Sequence, residues 1–552
     1  MPGRTIGESG RARQARNGHS RGGAGAPAGP AYTASAVGFW GTPRARHGHG
    51  GLGSGVYLLL AVCLLGGALG LRLAGIGQAS IEQRETQSAL LARKWSVDRE
   101  ELSPAQRRVI EVVDEEIRPI EPPILDAIAA AAFRASGEEP FWFPRLVSAS
   151  FWILGGVFFL LVARRLTTTG GALVALSLYL LWPYATWHSR LFMPDSLLVC
   201  SLMAAIWTIL RYWEEPSTRR FAAAAGASSF ATLVKPGVAF LFLVALFASL
   251  AVSQGALRRS LRGPLPLFAV VTAAAAALYG VWGLYLTDVI WEGADDSRFE
   301  TGLLLETEFW RGWWNVVSYL LRFPQPQEGL ALVTIVLGVA GIAVAPRGAP
   351  RATLVGLTVG YFLFALAFAN YTSTHPYYSL PLLPILALAI GVLAGWLLEL
   401  LRDRRILRVA VIAVVAAAVG VAVQKSYSVV TPDPPDERIA AYRRIGELTD
   451  HTTRSIIVDR QLGTPAMYWG WIVTRAWEID YADRPPPWIE AHVADYLIVV
   501  DTAALESHAG CRTSHAAGAW SRGPTRSRSS TCAVDRRLSA GPVRARRTRT
   551  RR

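Results

Sequence analysis

Four short segments carry ionisable or hydroxyl-bearing side chains beside long apolar runs, where a charge is costly and needs a reason. The first is Glu82-Gln83-Arg84-Glu85-Thr86-Gln87. A carboxylate there can take the proton of an acceptor hydroxyl, and Arg84 can neutralise a phosphate. The competing explanation is the solvated face of an amphipathic helix. The second is His188-Ser189-Arg190-Leu191-Phe192-Met193-Pro194-Asp195. Arg190 and Asp195 fall at the depth of a lipid head group, although a plain helix start also suits Pro194 and Asp195. The third is Lys235-Pro236, where Lys235 is one of three lysines in the chain. Its ammonium can reach a phosphate or simply snorkel to the interface. The fourth is His375-Pro376-Tyr377-Tyr378, with Pro381 and Pro384 following. Its tyrosines can bind a ligand or form part of an aromatic belt.

The elements that must hold these residues are membrane helices. The chain has 552 residues, 51% hydrophobic and 18% charged, with a mean hydropathy of +0.28. The apolar residues come in blocks of roughly 17–25, the length that crosses about 30 Å of hydrocarbon as a helix. Lipid offers the backbone no hydrogen bonds, so such blocks are helical. They lie at about 56–73, 145–163, 171–188, 196–213, 220–234, 236–253, 265–287, 329–345, 352–369, 378–400 and 407–424. The expected architecture is an all-α polytopic membrane protein with about eleven transmembrane helices. Short loops with Arg164/Arg165, Arg219/Arg220, Arg258/Arg259/Arg262, Arg347/Arg351 and Arg402/Arg404/Arg405 share one side. The positive-inside rule puts them, and the N-terminus, in the cytoplasm. The 74–143 loop, the 189–195 turn, the 288–328 loop and the 370–377 turn then lie outside together.

Beyond residue 425 the pattern changes. Ser455–Val458 and a segment at 496–500 read as short buried strands and 442–448 as a helix, so 431–506 is expected to be a small extracytoplasmic α/β domain. The net charge of +15 is concentrated in the tails, with seven Arg before residue 56 and twelve after residue 506. The folded body is near neutral and carries no basic stripe, which argues against a nucleic-acid binder. Residues 1–55 and 507–552 are expected to be disordered tails. The loss of apolar periodicity at Ser507, inside a plausible domain, marks an atypical tail or a change of reading frame. The four Cys have no CxxC or metal-ligand spacing, so no disulfide framework is implied.

The run Arg84-Glu-Thr-Gln-Ser-Ala-Leu-Leu-Ala-Arg93 resembles the first-loop signature of bacterial family 39 membrane glycosyltransferases. These are GT-C enzymes related to the protein O-mannosyltransferases and the lipid A aminoarabinose transferase. Arg190-Leu-Phe-Met-Pro-Asp195, Lys235-Pro236 and His375-Pro-Tyr-Tyr-Ser-Leu-Pro-Leu-Leu-Pro384 resemble later elements in the same order and on the same face. The resemblance covers about 56–425. It implies a GT-C fold and an inverting transfer of a monosaccharide from a polyprenyl-phosphate donor to an acceptor hydroxyl of unspecified nature. The place is the non-cytoplasmic face of a bacterial inner membrane. Registered on Ala92-Arg93, the Glu of the family's Asp-Glu pair falls on Glu85 and the Asp on Arg84. Glu85 is thus the first choice for the base, Glu82 its rival, and Asp195 a further catalytic carboxylate. Arg84, Arg190, Lys235, His375, Tyr377 and Tyr378 are the expected substrate-binding set. No cofactor is certain: a divalent metal bridging carboxylate and phosphate stays open, though no ligand spacing demands one. A transporter or flippase of polyprenyl-linked sugars calls for repeat symmetry or charges at mid-membrane, and neither is visible. A non-catalytic scaffold is the remaining alternative.

Overall fold

The computed structural model describes residues 53–281, 300–324, 328–477 and 494–500, apart from Arg118, Ile120 and Arg460. Of the expected tails, residues 1–52 and 507–552 lie outside them, and α1 begins within the last residues of the first. Each apolar block is built around a helix. The first is α1 (Ser54–Leu73), followed by three shorter helices in the first loop: α2 (Gln83–Ser96), α3 (Pro104–Glu116) and α4 (Ile124–Ser136). The bundle continues with α5 (Trp142–Leu166), α6 (Thr169–Leu181), α7 (Pro183–His188), α8 (Asp195–Glu214), α9 (Thr218–Val234), α10 (Pro236–Ser253), α11 (Leu257–Leu261) and α12 (Pro264–Val281). It ends with α13 (Thr307–Arg322), α14 (Glu328–Val344), α15 (Ala349–Ala367), α16 (Ala369–Thr374), α17 (Leu382–Leu400) and α18 (Arg405–Val430). Seven helices among the described residues are long and apolar enough to cross a membrane. Thr169–Leu181, Gly237–Ser253 and Gly329–Val344 are shorter apolar helices. The most peripheral, α18, presents apolar side chains such as Ile406 (85% exposed) and Val414 (70%) outward, as a lipid-facing helix must.

Helices cross closely where side chains are small, because in lipid it is van der Waals packing that holds helices together. A Cβ added at Gly171 on α6 meets the Gly391 carbonyl of α17 at 2.4 Å. One added at Gly360 on α15 meets the Phe242 backbone of α10 at 2.6 Å.

Two proline breaks shape the end of the bundle that carries the first loop. The expected 171–188 block is interrupted at Trp182-Pro183, since proline has no N–H to continue the ladder. The freed Leu180 carbonyl accepts from Arg72 Nη2 at 2.9 Å, and the Leu181 carbonyl accepts from Ser426 Oγ at 3.1 Å. The break tips α7 and the 189–194 turn across the bundle end. At Lys235-Pro236 the ring of Pro236 excludes helical geometry for its predecessor. Lys235 is extended (φ −153°) and forms a one-residue joint between α9 and α10.

The C-terminal unit contains α19 (Asp436–Leu448), β1 (Ser455–Val458), α20 (Thr464–Gly470), β2 (Thr474–Ala476) and β3 (Tyr496–Val499). Its sheet is parallel, in the order β2-β1-β3. The expected helix at 442–448 begins six residues earlier, and β2 is an additional strand too short for a periodicity signal. Tyr442, Ile445, Ile457, Ala466, Ile472 and Ile498 form its core. Met467 and Tyr468 of α20 share a second core with Ala89, Leu90, Val113, Leu125 and Phe133 of the first loop. The C-terminal unit is thereby packed onto α2, the helix that carries the first chemical segment.

Candidate active site

Helix α2 presents its charged residues to two different surroundings. Glu85 turns inward and is 0% exposed. Its Oε1 accepts from Arg145 Nε at 2.9 Å and from the Phe192 N–H at 2.7 Å. Its Oε2 accepts from Arg145 Nη2 at 2.6 Å and from Ser80 Oγ at 2.6 Å. Burial pushes the carboxyl pKa up, but the Arg145 guanidinium and these hydrogen bonds outweigh it and hold the carboxyl below its ordinary range. Arg145 Nη1 in turn donates to the carbonyls of Gln78, at 2.6 Å, and Ile76, at 3.2 Å. This pair ties the first loop, the start of α5 and the 189–194 turn together. Arg190 joins this side: its Nη1 donates to the Ala74 carbonyl, and burial, then the nearby Arg145, lower its pKa to about 10.

Arg84 faces the other way. Its Nη2 reaches Glu121 Oε2 at 3.0 Å and its Nη1 reaches Gln87 Oε1 at 3.0 Å. Glu121 Oε1 stands 3.6 Å from Lys235 Nζ, and Lys235 Nζ donates to Asp195 Oδ1 at 3.0 Å. Asp195 Oδ2 lies 3.5 Å from His188 Nε2. The result is a continuous chain, Arg84–Glu121–Lys235–Asp195–His188, drawn from α2, the Pro119–Pro123 turn, the α9–α10 joint, α8 and α7. Tyr377 and Tyr378 roof it, with Lys235 Nζ 4.9 and 4.4 Å from their ring centroids, a cation–π arrangement. The His188 ring lies between those of Tyr184 and Tyr377, nearly parallel to both.

The chain is buried yet incompletely satisfied. Asp195 is 1% exposed and Lys235 3%. Among the described residues, Arg84 Nε, Asp195 Oδ2 and both His188 ring nitrogens have no hydrogen-bond partner. An unpaired buried polar atom costs about 1–3 kcal/mol, so such a cluster marks a place where a polar ligand can bind.

Glu82 occupies the N-cap position of α2 without a capping hydrogen bond, close enough to feel both Glu85 and His188. Its side chain reaches solvent, and among the described residues no donor is bonded to its carboxylate. The protein packed around it and the Glu85 carboxylate raise its pKa, while His188, Arg145 and Arg438 act the other way. His375 stands at the rim, its Nδ1 2.7 Å from Thr374 Oγ1. Burial, then Arg84 and Lys235, lower its pKa.

Of the residues expected from sequence, Arg84, Asp195, Lys235, Tyr377 and Tyr378 converge, with Glu82 and His375 at the edge. Glu85 and Arg190 lie in the neighbouring Arg145 network. Sequence reasoning missed Glu121, Arg145 and the part played by His188. Glu121 stands in the run Pro119-Ile-Glu-Pro-Pro123, which by sequence reads only as a proline-rich connector. Among the described residues, no group of three or more His, Cys, Asp or Glu is arranged to hold a metal ion.

Residues 120–282 match the family model described as dolichyl-phosphate-mannose-protein mannosyltransferase. The match spans Glu121, Arg145, His188, Asp195 and Lys235, and leaves Arg84 and the tyrosines outside. No curated protein matches the sequence. Among solved structures, ArnT from Cupriavidus metallidurans bound to undecaprenyl phosphate is similar at 15% identity and a TM-score of 0.49, over 77% of this chain and 86% of that one. The same enzyme in the apo state gives 14% and 0.46, over 75% and 85%. The Archaeoglobus fulgidus oligosaccharyltransferase, in a complex with Zn and sulfate, gives 14% and 0.48, over 79% and 67%. The chain is a multi-pass, predominantly helical membrane protein with a small C-terminal sheet, and it is similar to the GT-C glycosyltransferases, as its motifs led one to expect.

Proposed function

We propose that this protein is an inverting glycosyltransferase that moves a monosaccharide from a polyprenyl-phosphate donor to an acceptor hydroxyl, on the non-cytoplasmic face of a bacterial inner membrane. The observation that carries this reading is the buried, incompletely satisfied chain from Arg84 to His188. It stands at one end of the bundle, level with the ends of apolar helices. That is where the phosphate of a lipid-linked sugar lies when its hydrocarbon tail is in the bilayer. The matched family is named for such a donor. The opposite end carries the arginine-rich loops, exemplified by Arg165 paired with Glu214 at 2.6 Å, and the positive-inside rule puts it in the cytoplasm.

In this scheme Lys235 and Arg84 meet the donor phosphate, and the Tyr377 and Tyr378 hydroxyls assist. The acceptor oxygen attacks the anomeric carbon from the face opposite the phosphate. Its proton passes to the Glu82 carboxylate, the anomeric C–O bond breaks, and the bonding pair leaves with polyprenyl phosphate. Stabilising that departing charge is the larger requirement. Glu82 is favoured over Glu85 as base because both Glu85 oxygens are occupied and its carboxyl is held at low pKa, a poor proton acceptor. Glu85 then has a structural role, holding Arg145 and the 189–194 turn against the first loop. Asp195 orients Lys235.

The test is incubation of membranes containing the protein with radiolabelled polyprenyl-phosphate mannose and polyprenyl-phosphate glucose. Label moving to an acceptor in wild-type membranes and staying on the lipid in Glu82→Gln supports the reading. Full transfer in both Glu82→Gln and Lys235→Gln contradicts it.

A further inference from the structure

Beside the Arg84–Glu121 pair a cleft opens between α2 and the start of α4. Arg84, Gln87, Ser88 and Leu91 line one wall, Glu121, Pro122 and Asp126 the other, and Pro194 closes the end next to Asp195. The scheme above uses only its Arg84 edge. Asp126 Oδ1 is buried in this region and has no hydrogen-bond partner among the described residues. The remaining walls combine an amide, a hydroxyl and a second carboxylate with the flat apolar faces of two prolines and a leucine. That mixture suits a sugar: hydroxyls are met by carboxylate and amide oxygens, and C–H faces by apolar surface. The cleft has a volume of about 20 Å³, room for one hydroxyl of a ring and not for the ring itself.

We propose that this cleft receives one hydroxyl of the transferred sugar and that Asp126 selects among donors by accepting a hydrogen bond from that hydroxyl. This rests on the glycosyl-transfer reading and adds to it the residue that reads the sugar. The placement is consistent with that order of parts: Arg84 is shared, so a phosphate gripped by Arg84 and Lys235 leaves the attached ring beside Asp126. Burial, and then the Glu121 carboxylate, push the Asp126 carboxyl up to about 6 against the opposing effects of Ser88 and Arg84. A carboxylate held in so unfavourable a setting gains most from a hydroxyl donor. From the bundle side, Tyr279 at the end of α12 feels both Glu121 and Asp126, and Lys235, Tyr377 and Tyr378 feel Glu121.

The experiment compares wild type with Asp126→Asn and Asp126→Ala on two measurements. The first is transfer from polyprenyl-phosphate mannose, glucose and galactose, as kcat/KM for each. The second is inhibition by sugar-free polyprenyl phosphate. A site built to bond a hydroxyl rejects analogues that misplace it strongly. Wild type is therefore expected to rank the three donors with at least a tenfold spread. Asp126→Asn should compress that spread about tenfold, mainly through a higher KM for the preferred donor, while inhibition by polyprenyl phosphate changes less than twofold. Asp126→Ala should do the same more strongly. If both variants keep the wild-type ranking and KM, the inference is overturned. It is also overturned if inhibition by polyprenyl phosphate weakens in parallel, because Asp126 then acts on the phosphate through Arg84. A wild-type protein that transfers none of the sugars sinks the glycosyl-transfer reading itself, a result distinct from loss of ranking alone.

Discussion

Helix α2 separates two buried ionic regions that look alike in composition and differ in how completely they are satisfied. On one face, Glu85 receives four hydrogen bonds and is sealed against Arg145, with Arg190 Nε the atom left unbonded beside that pair among the described residues. On the other, the chain from Arg84 to His188 alternates signs just as well, but among the described residues Arg84 Nε and His188 Nδ1 have no hydrogen bond and Asp195 Oδ2 meets His188 Nε2 only at 3.5 Å. A fully bonded pair holds three segments in one arrangement. An incompletely bonded chain is poised to trade contacts with an incoming ligand. The difference separates scaffold from site more reliably than the identity of the residues, since a glutamate and arginines occur in both.

Substitutions can break that comparison. The largest effect belongs to the open side: Glu82→Gln should lower kcat for transfer by about 10²–10⁴-fold and leave thermal unfolding unchanged. Next comes the closed side. Glu85→Ala or Arg145→Ala strands a buried charge, at a cost of about 3–5 kcal/mol, and should appear as a lowered thermal midpoint in detergent. Loss of activity there should track loss of folded protein. Should Glu85→Ala fold normally and lack transfer, the two regions have been assigned the wrong way round.

A smaller effect concerns the join between α2 and the C-terminal unit. Arg93 pairs with Glu139 at 2.7 Å, donates to the Tyr468 carbonyl at 2.6 Å and lies between the Tyr468 and Trp471 rings. Replacing Arg93 by Met should cost about 2 kcal/mol or more and expose the C-terminal unit to limited proteolysis.

Two pH effects sharpen the contrast further. Glu82 has a raised pKa, so its proton-accepting form is lost on acidification earlier than for an ordinary glutamate at 4.5. The acid limb of kcat/KM should therefore lie above that value and should disappear in Glu82→Gln. Asp126 has its carboxyl raised from 3.8 to about 6 in the folded protein. The stability it contributes is complete below the lower value and is lost as pH rises through the upper one. Asp126→Asn should accordingly melt higher than wild type at pH 7, with the gap closing toward pH 4.

Much of the open region was legible in the sequence because its members stand out locally. Lys235 and Asp195 are charges at the ends of apolar runs, each beside a proline, and Tyr377-Tyr378 is a hydroxyl pair at a similar place. The closed region was not legible. Glu85 and Arg145 are 60 residues apart, and nothing in either segment signals that a loop folds back to join them. Without that partner Glu85 reads as an exposed base. Glu121 was hidden for a related reason: a proline-rich turn reads as a connector until its packing is known. For the fold, hydrophobic periodicity located the apolar helices but ran through the Trp182-Pro183 break, because both halves are equally apolar.

The most direct test is the binding of sugar-free polyprenyl phosphate to the purified protein in lipid nanodiscs. The wild-type protein should bind it, Lys235→Gln should weaken binding at least tenfold, and Glu85→Gln, where it folds, should bind within about threefold of wild type. Equal binding by wild type and Lys235→Gln would contradict the assignment of the Arg84–His188 chain as the phosphate-gripping site.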